Sequence, residues 1–124
     1  MANTFKVTTA SGVVTSNSSN TYSIYTCPGS TTTIVLSLLL SNKHTAPIKA
    51  SVILSSDTAN SGNNSNRNSG NNEDAHIIKD VSISEENSLE IMSGQKYVLQ
   101  ATDVIKVIAD NSNIDVVLSY MEIT

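Results

Sequence analysis

Tryptophan is missing from this chain of 124 residues, Phe5 is its only phenylalanine, and four tyrosines complete the aromatic set. The core must therefore be aliphatic, and a sugar site built on stacked aromatic platforms has little to be made from. Cys27 is the only cysteine, so no intrachain disulfide can form. A secreted domain of this size would often use several. Lys and Arg together number 7, against 11 acids, for a net charge of -4. No large basic face can be assembled, which disfavours sequence-independent binding to nucleic acid. The longest apolar cluster, Ile34 to Leu40, falls far short of the roughly 20 residues of a membrane helix. Met1 to Lys6 shows no basic segment followed by an apolar run, so no signal peptide is expected. The expectation is a soluble chain made in a cytoplasm, with neither a membrane nor a nucleic-acid partner.

What remains is rich in Ser, Thr, Asn, Val and Ile, and β-branched residues suit pleated, half-buried surfaces. At this length the chain forms one domain. Residues 1–19 read as a polar N-terminal arm with a weak edge strand near Gly12-Val13-Val14. Residues 20–124 read as a single β-sandwich domain. Tyr22 to Cys27 is extended and stops at Pro28-Gly29, a turn pair. From Thr31 to Ser41 the period is two, with Ile34, Leu36, Leu38 and Leu40 on one face. Ile48, Ala50, Val52 and Leu54 alternate with Lys49, Ser51, Ile53 and Ser55. Similar short runs follow from His76, Leu89, Tyr97, Ile105 and Ile114, each bounded by turn residues. Eight or nine short strands at this spacing predict an all-β, antiparallel sandwich of jelly-roll-like type. Its predicted core is Ile34, Leu36, Leu38, Leu40, Val52, Leu54, Leu99, Ile105, Val107 and Leu118. Asn60 to Asn72 contains seven Asn and no apolar residue, so residues 57–74 are expected to form a long loop outside that core.

Chemistry-bearing residues are sparse. His44 and His76 stand in no metal-ligand spacing with each other or with Cys27. Cys27 has no cationic neighbour in sequence to lower its pKa, and reads as a structural thiol. Asp57, Glu73 and Asp74 flank the Asn-rich segment but do not match a calcium-loop pattern. Gly62 and Gly70 do not make a phosphate-binding loop. A Ser-His-Asp trio can always be named in a Ser-rich chain, and without a nucleophile elbow the naming carries no information. No catalytic, cofactor-binding or metal residue is expected, and the chain reads as a non-enzyme.

The stronger signal is apolar residues out of phase with the assigned core faces. Val35, Leu39, Ile53, Val117 and Met121 fall on the outer sides of their strands. Several such residues on a small domain predict a subunit interface and a homo-oligomer or multi-copy assembly.

Read in order, several segments resemble small virion structural proteins of tailed bacteriophages, including phages of marine cyanobacteria. These segments are Ile24-Tyr25-Thr26-Cys27-Pro28, Thr31 to Asn42, Lys49 to Leu54, Ser88 to Ile91, Tyr97-Val98-Leu99, Asp103 to Val107 and Val116 to Ile123. The resemblance covers roughly residues 20–124. It departs at Cys27, where an aliphatic residue is expected, and at the Asn-rich segment. It implies a non-enzymatic component of the virion, a capsid decoration or a head, neck or tail accessory subunit, that docks on other virion structural proteins. The alternative from another class is a receptor- or carbohydrate-binding module of a tail fibre, against which the shortage of aromatics speaks.

Overall fold

The computed structural model describes residues 2–12, 21–56, 58, 72–92 and 94–124. Among these lie nine strands and no helix: β1 (Asn3–Ala10), β2 (Tyr22–Thr26), β3 (Thr32–Asn42), β4 (Ile48–Ser55), β5 (Ala75–Ile83), β6 (Ser88–Glu90), β7 (Tyr97–Leu99), β8 (Val104–Ala109) and β9 (Ile114–Ile123). They build two antiparallel sheets. The first has the order β1-β9-β3-β6, with β7 also on β3, and the second has the order β2-β8-β4-β5. The sandwich expected from the period-two pattern is the fold.

The pairings nest inside one another. β4 runs against β5, β3 against β6 and β7, β2 against β8, and β1 against β9. Leu54 lies opposite Ala75, Leu39 opposite Glu90, Tyr25 opposite Ile105 and Asn3 opposite Ile123. The described strands thus form one long hairpin whose innermost pair is β4 and β5. Rolling that hairpin sets β3 beside β9 and β4 beside β8, and this closes the two sheets in a jelly-roll winding.

Leu38, Leu40, Val52, Leu99, Ile105, Val107 and Leu118, all expected inside, are fully buried. Leu54 is half-buried and packs against them. Each fully buried aliphatic side chain of this kind contributes about 1.5–3 kcal/mol. Ile34 and Leu36 depart from expectation, since both are only half-buried while Val35 between them is 0% exposed. The cause is a β-bulge. Val35 faces Tyr120 and Ser37 faces Ser119, which leaves Leu36 as an extra residue in β3. Because side chains alternate with a period of two, that insertion inverts the phase. Thr33 and Val35 point inward before the bulge, and Leu38 and Leu40 after it. Val35 is therefore a core residue of this domain and is removed from the predicted interface.

The bulge coincides with a break in the neighbouring strand, because β6 and β7 pair with different stretches of β3. Glu90 fills the break. Its carboxylate accepts from the Leu38 N–H at 3.0 Å, the Met92 N–H at 3.0 Å and the Ser37 hydroxyl at 2.9 Å.

Residues 3–10 also differ from the predicted arm. They form a full strand, with Asn3 to Ala10 paired to Ile123 to Val116 without a break in register. It is pinned at both ends. Ala2 and Thr124 exchange backbone hydrogen bonds of 3.2 and 3.0 Å, and the Gly12 N–H donates to Asp115 at 2.9 Å. Gly12 has φ +66, a conformation glycine reaches without strain. The predicted edge strand around Val13-Val14 lies outside the described residues, as do Asp57 and most of the expected long loop.

Candidate association surface

Among the described residues, the exposed large hydrophobics are Phe5, Val7, Tyr22 and Val98. Register assembles two of them into a row. Phe5 is opposite Met121, Met121 is opposite Ile34, and Ile34 is opposite Val98. Cross-strand partners share a face, so one apolar side chain from each of four adjacent strands lines up across the outer side of the first sheet. Phe5 is 72% exposed at one end of the row and Val98 60% at the other. A second row two residues along the strands runs through Val7 and Ser119 to Ser37. A third runs from Thr9 through Val117 and Leu39 to Glu90.

Of the residues predicted from sequence, Leu39, Val117 and Met121 lie together on this face, each half-buried. Ile53 is also half-buried but sits in the second sheet, opposite His76 and Lys106, and so shares no patch with them. Val35 is inside. Sequence reading missed Phe5, Ile34 and Val98, although Phe5 and Val7 alternate visibly with Lys6 and Thr8 in the first strand.

The polar groups are engaged in holding the sandwich. Tyr25 donates to Glu122 Oε2 at 2.6 Å and shares a hydrogen bond of 2.7 Å with Thr33. Glu122 Oε1 accepts from Lys6 Nζ at 2.8 Å. This chain of bonds links β1, β9, β2 and β3. Hydrogen bonds from Lys6 and then Tyr25 hold the Glu122 carboxyl below its usual range. Burial, with the adjacent carboxylate, pushes the Tyr25 phenol well above its ordinary value. The two rings of Tyr25 and Tyr120 lie 4.4 Å apart between centroids. Cys27 is 1% exposed. Its sulfur lies 3.3 Å from Thr33 Oγ1 and 3.4 Å from the Thr31 carbonyl. Burial raises the pKa of this thiol, which keeps it protonated and a poor nucleophile.

At the hairpin tip, Asp103 Oδ1 accepts from Ser56 at 2.6 Å and Thr58 at 2.7 Å, and Oδ2 accepts from the Gln100 N–H at 2.9 Å. Asp74 accepts from the Ser55 hydroxyl and the Ser56 N–H, while Glu73 is exposed. An open groove of about 550 Å³ lies here, lined by Ser55, Ser56, Asp74 and Thr102. Asx and hydroxyl contacts of this kind close the base of a long connection. His44 contacts Asn113 at 3.2 Å, and His76 lies in β5 opposite Ile53. Among the described residues no three His, Cys, Asp or Glu side chains gather in a way that could hold a metal ion.

Comparison with protein-family models, curated proteins and solved structures finds no match.

Proposed function

We propose that this chain is a non-catalytic structural subunit of a tailed-bacteriophage virion, and that it works by packing the outer side of its first sheet against other virion proteins. The observation that carries the reading is the row Phe5–Met121–Ile34–Val98, an apolar band across four strands with two strongly exposed ends. Apolar surface left in water is unfavourable by about 25 cal/mol per Å², and a partner protein relieves that. Jelly-roll sandwiches serve in viral capsids and in lectins alike, so the winding supports the virion reading without deciding it. The exposed face favours protein packing over sugar binding. Among the described residues Phe5 and Tyr22 are the only exposed large aromatics, and Tyr22 belongs to the second sheet.

The test is incorporation. Particles should carry the chain in multiple copies, and a folded Val98→Asp variant should be lost from them. Particles without the wild-type chain, or with the Asp variant at full occupancy, would overturn the reading.

A further inference from the structure

Each sheet of an open sandwich ends in strands whose outer backbone groups are unpaired, and natural proteins protect such edges with bulges, charges or brevity. Three of the four edges here are protected. β6 and β7 are three residues each. β2 has five residues and a register shift between Ser23 and Tyr25. β5 carries two register irregularities, a left-handed Asp80 at φ 50, and exposed His76, Lys79 and Asp80. β1 has neither brevity nor a bulge, and it carries a single charge. It is eight residues long, regular in register, free of proline, and exposes Phe5 and Val7. Its one charged side chain, Lys6, is a partial guard, turned to the inner side where the ion pair with Glu122 offsets its charge.

The hydrogen-bond phase shows which groups are free. Ala2 and Thr124 exchange both of their backbone bonds. In an antiparallel ladder such pairs alternate, so Thr4, Lys6, Thr8 and Ala10 bond to β9. The N–H and C=O groups of Asn3, Phe5, Val7 and Thr9 therefore point away from the sheet, and among the described residues no strand lies on that side.

We propose that β1 pairs antiparallel with β1 of a second copy about a two-fold axis, joining the first sheets of two subunits edge to edge. The proposal rests on the structural-subunit reading for its purpose, and supplies the contact by which copies associate. An edge strand running antiparallel to itself is self-complementary, since each outward N–H meets an outward C=O. The register that sets Val7 against its own copy places Phe5 against Thr9 and Lys6 against Thr8. It forms about six hydrogen bonds and avoids opposing the two Lys6 side chains. The edge is roughly 27 Å long and about 15 Å deep with its side chains, or about 400 Å² per copy. That is half of a standard interface, which places the dimer in the weak, concentration-dependent class with a Kd in the micromolar range. Many copies on one particle would raise the effective concentration above it.

The experiment is sedimentation equilibrium with amide exchange on the purified full chain. The wild type should dimerise with rising concentration, and the amides of Asn3, Phe5, Val7 and Thr9 should gain protection as it does. Val7→Pro removes an outward N–H that the fold does not use, so it should give a folded monomer. Val7→Lys opposes two like charges at the axis and should weaken the dimer at least about tenfold, less so at high salt. Val98→Asp, at the opposite edge of the sheet, should dimerise as the wild type does. A wild type that stays monomeric up to about 1 mM, a dimer that both Val7 variants leave intact, or dimerisation without protection of these four amides would each overturn the proposal. A dimer built this way in a chain that particles never carry would leave the edge pairing standing and remove the virion reading.

Discussion

Two glutamates show how far a carboxylate's work depends on its neighbours. Glu122 bridges a lysine and a buried phenol, and its lowered pKa ties stability to pH. A carboxyl depressed in the folded state contributes stability that is complete above its ordinary pKa and is lost as pH falls through the folded value. Below about pH 4.5 the protein should weaken, with smaller contributions from two other depressed carboxyls. For Glu90 and Asp115 burial alone would raise the pKa, but backbone and side-chain donors outweigh it. Glu122→Gln should therefore lower Tm at neutral pH and flatten the fall in Tm between about pH 5 and 3, followed by calorimetry. Leu38→Ala should cost about 2–5 kcal/mol, because a fully buried leucine leaves a cavity, and Leu36→Ala at the bulge should cost clearly less. Urea midpoints decide the order, and equal losses would mean the phase inversion is misplaced. Cys27 should resist a thiol reagent at pH 8 in the native protein and react at once in urea.

At the level of the strand, alternation made most of the fold legible. β8 and β9 alternate in burial without a break, whereas β4 alternates only from Ile48 to Ala50 before Ser51 and Val52 are buried in succession. The bulge in β3 was not legible for a specific reason. Ile34, Val35 and Leu36 are consecutive apolar residues, so either phase satisfies the pattern, and only the break between β6 and β7 selects one. The first strand was underestimated because its outer residues are apolar and its inner ones polar, the reverse of the usual edge. At the base of the hairpin tip Asp103 gathers three donors. Replacing residues 60–71 by a short Gly/Ser link should leave Tm nearly unchanged, since halving a loop alters closure by only about 0.6 kcal/mol. Asp103→Ala leaves buried donors without an acceptor and should cost about 1–3 kcal/mol or more. The same urea titrations test both, and a loop deletion that unfolds the domain would show that the segment packs.

The proposed association surface belongs to the whole molecule, which explains why half of it escaped the sequence. Leu39, Val117 and Met121 could be found one strand at a time, as residues opposite an evident core face. The row itself takes Phe5, Ile34, Val98 and Met121 from four strands scattered along nearly the full length of the chain, and only register brings them side by side. Nesting has a further consequence for how the molecule comes into being. Strand β9 lies between β1 and β3, so neither of those has that partner until β9 has left the ribosome. During synthesis β1 to β4 emerge first, with hairpin partners still untranslated, and β4 with β5 is the first nested pair that can close. The others follow outward in the reverse of the order in which their first strands were made, and β1 is held last. The first sheet is therefore completed only once β9 is available, through long-range closures that are slow. A nascent chain halted before Ile114 should remain open to protease along β1 and β3, and extension through Ile123 should protect both strands in a single step.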